Sequence, residues 1–208
     1  MSSDDSKVIL ITSSHVGEGK SSISSNLATV FAMQNKRTVL VDADMRRGVQ
    51  YKNFGISNKS GLSTYLANIA DEKDLIKKTD IKDLFVITSG PVPPNPAELL
   101  STEKMGILIN MLKELFEVII IDGAPVLPVT DSVILAGLVD RVILVTSYGE
   151  THKEELKSAY AIVKNTGAKI AGVVLNKVDS KSNRYSKYGK YGGYYGSYTY
   201  AKKGEDKW

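Results

Sequence analysis

Residues 7–22 read Lys-Val-Ile-Leu-Ile-Thr-Ser-Ser-His-Val-Gly-Glu-Gly-Lys-Ser-Ser, and this stretch decides the fold. Its apolar half predicts a buried strand, its glycine-rich half predicts a tight loop, and the residues that follow have helical spacing. Gly17 and Gly19 allow backbone N–H groups to turn toward phosphate oxygens. Lys20 supplies positive charge to those phosphates, and Ser21 can ligate Mg²⁺. The stretch therefore predicts a phosphate-binding loop between a strand and a helix.

The rest of the chain alternates apolar runs with helical segments. The further apolar runs are Thr38–Val41, Leu84–Thr88, Val118–Ile121, Val142–Thr146 and Gly172–Leu175. Helical spacing is carried by Ile23, Leu27, Val30 and Phe31, and by the stretch from Ser101 to Phe116. Continuous apolar runs predict strands that are covered on both faces, and the alternation predicts an α/β fold with a doubly wound, mostly parallel sheet. The proline-rich stretch 90–96 predicts a loop.

Composition narrows the class of protein. A chain of 208 residues with 42% hydrophobic and 24% charged residues is that of one globular domain, which excludes a disordered chain, a collagen-like fibre and a membrane bundle. With no cysteine and two histidines, any metal is expected to have oxygen ligands. The sequence has neither a long apolar run nor a signal peptide, so we expect a cytoplasmic protein.

The last 29 residues differ in composition from the rest. Residues 180–208 hold seven Lys and Arg against two Asp and Glu, a net charge of +5, which leaves −1 of the total of +4 for residues 1–179. Tyrosine, glycine and lysine dominate there, and such a segment cannot form a core. We therefore predict a folded domain over 1–179 and a flexible tail over 180–208. A basic tail is typical of a solvated extension, so no nucleic acid partner is expected.

Three aspartates follow apolar runs. Asp42 and Asp44 come after the second run, in Val39-Leu-Val-Asp-Ala-Asp-Met-Arg46, and Asp122 comes after Ile119–Ile121. Each could be a helix cap or a turn residue. Because the carboxyl ends of parallel strands face one crevice, the three are instead expected to converge beside Lys20. The combination predicts a nucleotide site.

These motifs, together with the tyrosine cluster, resemble the bacterial tyrosine kinases (BY-kinases) of capsular and exopolysaccharide export. The phosphate loop looks like the family's Walker A motif, Asp42-Ala-Asp44 like Walker A′, and Asp122 like Walker B. The resemblance implies a P-loop NTPase fold of the MinD/ParA-like, deviant Walker type. It also implies an ATP- and Mg²⁺-dependent protein-tyrosine kinase that autophosphorylates its tail and regulates polysaccharide synthesis and export.

The resemblance also implies roles for individual residues. Lys20, Asp42 and Asp44 would be catalytic, with Asp42 as the base toward a tyrosine hydroxyl. The implied nucleotide-binding residues are Gly17, Glu18, Gly19, Lys20, Ser21, Ser22 and Asn176. The implied Mg²⁺ ligands are Ser21, Asp42, Asp44 and Asp122. The implied phosphorylation sites are Tyr185, Tyr188, Tyr191, Tyr194, Tyr195, Tyr198 and Tyr200.

The family likeness further implies a transmembrane adaptor whose cytoplasmic segment docks on the kinase and recruits it to the inner face of the membrane. A homo-oligomer formed through tail contacts with a second copy is a further expectation. The Glu-x-x-Arg-x-x-Arg helix that family members use in ring assembly has no counterpart in this sequence, since no two of the five arginines are three apart.

Two alternatives stay open at this point. The first is a MinD/ParA-like ATPase switch without kinase activity, although the signature lysine of those phosphate loops is replaced here by His15. The second is a GTPase, because Asn176-Lys-Val-Asp179 resembles a guanine reader. The paired aspartates of the second motif favour ATP.

Overall fold

The computed structural model describes residues 8–178 of the chain. Its strands are β1 (Val8–Ser13), β2 (Thr38–Asp42), β3 (Lys77–Lys78), β4 (Leu84–Ile87), β5 (Val118–Asp122), β6 (Arg141–Ser147) and β7 (Ile170–Asn176). Its helices are α1 (Lys20–Met33), α2 (Gln50–Asn53), α3 (Leu62–Leu66), α4 (Pro96–Leu100), α5 (Glu103–Leu115), α6 (Asp131–Ala136) and α7 (Lys153–Asn165), with a 3-10 turn at Glu72–Asp74. The predicted tail, 180–208, and its tyrosines lie outside the described residues.

The seven strands form one sheet in the order β3-β4-β2-β5-β1-β6-β7. All pairings are parallel except that of β3 with β4. Strand β2 lies on one side of β1 in the sheet, and β6 lies on its other side. The direction in which successive strands are placed therefore reverses at β1. The predicted doubly wound, mostly parallel sheet is confirmed, and its switch point lies where the phosphate loop follows β1.

Side-chain burial follows the apolar runs in the centre of the sheet. Every residue of β2 and β5 is buried, as expected for strands covered on both faces. Strand β7 differs, because Val173 and Leu175 are 47% and 45% exposed. The prediction of cover on both faces is therefore wrong for this edge strand within the described part of the chain.

Helix α1 packs on the sheet through small side chains. Its buried positions include Ser24, Ala28 and Ala32, whereas Val30 of the predicted apolar face is 50% exposed. Small residues on the buried stripe allow the helix to approach the strands closely, and that approach fixes where its N-terminus and the preceding loop lie.

Two local features differ from the sequence prediction. Pro96 does not belong to the loop that precedes it but is the first residue of α4, a position where its missing N–H costs no hydrogen bond. Strand β3 consists of two lysines, and its pairing with β4 gives no apolar signal in the sequence.

Across residues 8–178, no helix combines the length and the apolar character that a membrane span requires.

Candidate active site

The phosphate loop has the backbone geometry that its glycines permit. Gly17 and Gly19 have φ of +90° and +92°, values that other residues rarely adopt. Gly19 also needs the space, because a Cβ there would lie 2.1 Å from Asn176 Nδ2. Helix α1 begins at Lys20, so the loop ends on helical N–H groups that have no partner within the helix. Such a terminus is suited to an anion.

Glu18 holds the phosphate loop in place through three hydrogen bonds. Its buried carboxylate accepts hydrogen bonds from the His15 backbone N–H at 2.7 Å and from the Thr151 hydroxyl. Its backbone carbonyl accepts a hydrogen bond from Asn176 Nδ2 at 2.9 Å. The Asn176 amide nitrogen thus supports the loop, while contact of Asn176 with a purine base stays a prediction. Thr151 belongs to no sequence motif, so its contact with Glu18 could not be predicted from the sequence.

Lys20 lies among the predicted carboxylates. Its Nζ is 2.8 Å from Asp44 Oδ2, 3.6 Å from Asp122 Oδ1 and 3.3 Å from Ser21 Oγ. Burial by itself would lower the pKa of Lys20, but the charges of Asp122 and Asp44 outweigh it and the net pKa is raised. The ammonium group is therefore charged throughout the physiological pH range and neutralises part of the acidic cluster.

Asp42 is fully buried, as Asp122 is, and is less exposed than Asp44. It ends β2 directly beside Asp122 at the end of β5. Its Oδ2 accepts the Gln50 backbone N–H at 3.0 Å, whereas its Oδ1 is one of two buried side-chain oxygens in residues 8–178 that lack a hydrogen-bond partner. Burial first, and then the charge of Asp122, raises the pKa of Asp42 to about 7. An unpaired carboxylate oxygen with that pKa is suited to accept a proton.

Gln50, at the start of α2, connects the three motifs and was not predicted. Its Nε2 donates to Asp122 Oδ2 at 2.7 Å and to the Ser21 carbonyl at 3.0 Å. The Ser24 hydroxyl donates to Asp122 Oδ1 at 3.3 Å. Neither residue carries a charge or belongs to a motif, so only the folded arrangement identifies them.

Arg46 and Asp131 hold the segment after β2 in place. The Arg46 guanidinium makes two hydrogen bonds to the buried Asp131 carboxylate at the start of α6, of 3.1 and 3.2 Å. Next to it, the Arg47 backbone N–H donates to Asp44 Oδ1 at 3.0 Å. The ion pair therefore fixes the segment that aims Asp44 at Lys20. The sequence motif contained Arg46 but gave no indication of its partner.

A cavity of about 240 Å³ opens in front of these groups. It is lined by Val16, Gly17, Gly19, Lys20, Ser21, Ser22, Asp44, Arg47 and Val49. Its lining combines a helix N-terminus, a buried ammonium, a hydroxyl and a carboxylate, which is the donor set for a phosphate chain with Mg²⁺. The buried Ser14 Oγ, the second oxygen without a partner, lies at the start of the same loop. The residues present fit a Mg²⁺–nucleotide.

Comparison with known proteins decides the family. Residues 6–171 match the AAA domain family. The putative tyrosine-protein kinase CapB of Staphylococcus aureus is 38% identical over 181 residues, which cover 86% of this chain and 79% of that protein. The tyrosine-protein kinase CpsD of Streptococcus pneumoniae serotype 4 is 40% identical over 186 residues, covering 89% and 82%. This chain belongs to the bacterial tyrosine-protein kinase family.

Solved structures agree with this assignment. The kinase domain of the Escherichia coli tyrosine kinase ETK superposes with a TM-score of 0.84 at 32% identity, covering 88% of this chain and 72% of that one. The cell division ATPase MinD of Pyrococcus furiosus, at 24% identity and a TM-score of 0.73, covers 86% and 75% and shows the shared fold alone. The predicted MinD/ParA-like fold is confirmed. Of the protein families that have this fold, the chain belongs to the bacterial tyrosine kinases.

Proposed function

We propose that the chain is an ATP- and Mg²⁺-dependent protein-tyrosine kinase that phosphorylates tyrosines of its own C-terminal segment. The proposed acceptors are Tyr185, Tyr188, Tyr191, Tyr194, Tyr195, Tyr198 and Tyr200. The observation that carries the proposal is the buried Oδ1 of Asp42, which has no hydrogen-bond partner, beside the Lys20 cluster. An ATPase that activates only water has no need of a tyrosine-rich segment, whereas a tyrosine kinase does.

In the proposed mechanism, Lys20 leaves Asp44 for the β- and γ-phosphate oxygens of ATP, and the N–H groups at the start of α1 bind the same chain of phosphates. Ser21, Asp42, Asp44 and Asp122 are the proposed Mg²⁺ ligands. The ion, when bound, supplies charge neutralisation for the phosphates. Glu18 and Asn176 keep the phosphate loop in the shape that these contacts require. Ser22 lines the cavity beside the loop.

The acceptor hydroxyl is placed against Asp42. Its oxygen forms a bond to the γ-phosphorus, the bond from that phosphorus to the β–γ bridging oxygen breaks, and ADP leaves. Asp42 Oδ1 takes the hydroxyl proton. The positions of Asp42 and Asp122 are fixed by Gln50, so the reacting groups do not have to be reorganised at the moment of transfer.

Each phosphate adds about −1.5 to −2 charge, so several of them reverse the +5 of residues 180–208. A segment that changes sign can bind and release an acidic partner. We propose that this couples the kinase to a transmembrane adaptor of polysaccharide export, which recruits the cytoplasmic protein to the inner face of the membrane. Contacts of the segment with a second copy would give the proposed homo-oligomer.

The test is incubation with ATP and Mg²⁺, with and without a candidate adaptor segment, followed by mapping of phosphotyrosines by mass spectrometry. We expect phosphate on several of the seven tyrosines, and none with Asp42→Asn, which keeps the side-chain shape but removes the base. ADP release without any phosphotyrosine, with the adaptor present, would support the ATPase switch instead. Displacement of ATP by a lower concentration of GTP would contradict the choice of nucleotide.

A further inference from the structure

A large apolar depression lies outside the phosphate loop. It is a groove of about 750 Å³ between α3 and α4, and we call it the α3–α4 groove. Its apolar walls include Ala67, Ile69, Pro91, Val92, Pro93 and Leu99. Ile69 and Val92 are 77% and 70% exposed. Large aliphatic side chains exposed together around a concave surface are typical of a binding site.

The groove adjoins the proposed site of phosphoryl transfer. Strand β4 pairs with β2, so Ser89, just beyond β4, lies beside Asp42 at the end of β2. A Cβ on Gly48 would be 2.2 Å from Ser89 Oγ and 2.9 Å from Asp42 Oδ2, so these two side chains flank the same glycine. Pro91 follows two residues later, and its carbonyl accepts a 2.6 Å hydrogen bond from Ser63 Oγ. One wall of the groove thus begins two residues beyond Ser89, which lies close to Asp42.

The tyrosine spacing matches this arrangement. Tyr185, Tyr188, Tyr191 and Tyr194 are three residues apart. Three residues of a polyproline II helix make one turn and span about 9 Å, so a peptide bound in that form with one tyrosine at Asp42 presents the next ring on the same face, past Ser89 toward Pro91. A tyrosine ring has an apolar body and a polar tip. The groove offers aliphatic and proline walls for the ring, with Lys59, Glu98 and Thr102 available to its hydroxyl.

We propose that the α3–α4 groove binds the tyrosine ring three residues from the phosphoacceptor, presented by the C-terminal segment of a second copy; this rests on the kinase function proposed above. A second copy is the occupant because β7, from which the segment continues, and the β3–β4 side of the sheet are its opposite edges. The groove thereby selects acceptors with repeated tyrosines, and it keeps hold of the segment while successive hydroxyls are phosphorylated.

The test uses two full-length chains. A trace of active chain phosphorylates ¹⁵N-labelled Asp42→Asn chain, which serves as the acceptor and is distinguished by mass. Val92→Asp or Ile69→Asp in the active chain is expected to raise the KM for the acceptor about tenfold and to leave the KM for ATP unchanged. The same substitution in the acceptor chain should have no effect. Met33→Asp in the active chain is the matched control, because Met33 is 74% exposed and lies on α1.

A second arm changes the acceptor. With Tyr188→Ser and Tyr194→Ser, Tyr191 loses its neighbours on both sides, and its phosphorylation should fall about tenfold. Tyr188→Phe and Tyr194→Phe keep the rings and should restore most of the rate. Val92→Asp in the active chain should cause no further loss with the serine acceptor, since the groove then has no ring to bind.

Three results would overturn the inference. In the first, groove variants have a normal acceptor KM, or reduce transfer equally from either chain. In the second, the effect of the groove appears only when an adaptor segment is added, which assigns the groove to that adaptor. In the third, wild-type chain labels no acceptor even with an adaptor segment present. If it still labels itself, transfer is within one molecule and this inference alone fails; if it labels neither chain, the proposed function fails as well. Labelling that ignores the groove overturns this inference alone.

Discussion

At the scale of single residues, Lys20 contributes to the stability of the protein as well as to the nucleotide binding proposed for it. Its ammonium group is the cation for two buried carboxylates, Asp44 and Asp122, in the protein without nucleotide. Removing one partner of a buried ion cluster leaves uncompensated charge and typically costs about 3 kcal/mol. The prediction therefore concerns the free energy of unfolding as much as catalysis.

We predict that Lys20→Met lowers the free energy of unfolding by about 3 kcal/mol at pH 8 without nucleotide or Mg²⁺, as measured by urea denaturation. Lys157→Met, at an exposed position of α7, is the control and should change stability by less than about 0.5 kcal/mol. Adding Asp44→Asn to Lys20→Met should recover part of the loss. Equal stability of Lys20→Met and wild type would contradict a stabilising role of the cluster.

The raised pKa of Asp42 predicts a pH dependence of stability. Because its pKa is about 7 in the folded protein and 3.8 as a model value, the folded state binds more protons than the unfolded state between about pH 4 and pH 7. The contribution of protonated Asp42 is complete below about pH 4 and is lost as the pH rises to 7. It amounts to at most about 4 kcal/mol.

We therefore predict that the stability of wild type minus that of Asp42→Asn decreases steadily from pH 4 to pH 7 in metal-free protein. Urea denaturation of both proteins across this range measures the difference, in which the carboxylates far from Asp42 cancel. A difference that grows with pH would mean that Asp42 is ionised well below pH 7 in the folded state.

The residues of the site divide according to the kind of signal they carry. Lys20, Asp42, Asp44 and Asp122 could be predicted, because charge, glycine spacing and position after apolar strands are visible in the sequence. Gln50 could not, since its role depends on hydrogen bonds to Asp122 and to the Ser21 carbonyl, which are far from it along the chain. A neutral amide acquires its function only from the groups that the fold places around it.

At the scale of elements, the four-residue helix α2 is an integral part of the site. Its first residue, Gln50, joins the start of α1 to the ends of β2 and β5. We predict that Gln50→Leu lowers kcat about tenfold or more and changes the KM for ATP little, because Asp122 Oδ2 loses its donor and is no longer held in place. Initial-rate kinetics with Mg·ATP measure both constants.

Lys52→Ala is the matched control for that experiment, since Lys52 lies on the same short helix with its side chain exposed. Its kinetics should equal those of wild type. A loss in Gln50→Leu confined to the KM for ATP would assign Gln50 to nucleotide binding and not to the orientation of the carboxylates.

Elements with apolar runs were predicted and short elements were not. Strands β2, β5 and β6 are the predicted runs extended by one or two residues, and β1 is the described part of the run Lys7–Thr12 with Ser13 added, because continuous burial requires continuous apolar sequence. Strand β3 and helix α4 lack such a pattern. Strand β3 forms because its backbone pairs with β4, and helix α4 begins at Pro96, a residue that is favoured at a helix start. Strand β3 and helix α4 therefore depend on their neighbours more than on their own composition.

At the scale of the whole molecule, the order of the strands bears on how the tyrosines reach the site. Strand β7 is the edge strand four positions from β2, so with about 4.8 Å between neighbouring strands its end lies about 19 Å from Asp42 along the sheet. Between them lie β1 and the phosphate loop, where ATP is proposed to bind. The C-terminal segment of the same chain would have to pass over that loop, whereas the segment of a second copy can approach Asp42 from solvent.

We therefore predict that phosphorylation of the C-terminal tyrosines is mainly intermolecular. The fraction of chains phosphorylated per minute should fall about tenfold when the protein is diluted tenfold at constant, saturating Mg·ATP, as required for a reaction of second order in protein, provided its concentration stays below the KM for the acceptor. Quantitative mass spectrometry of the tyrosine-containing peptides at early times measures this fraction. Denaturation curves at both concentrations serve as the control, because they show whether dilution itself unfolds the protein. A fractional rate independent of concentration would mean that the segment reaches its own active site, and that the path over the phosphate loop is open.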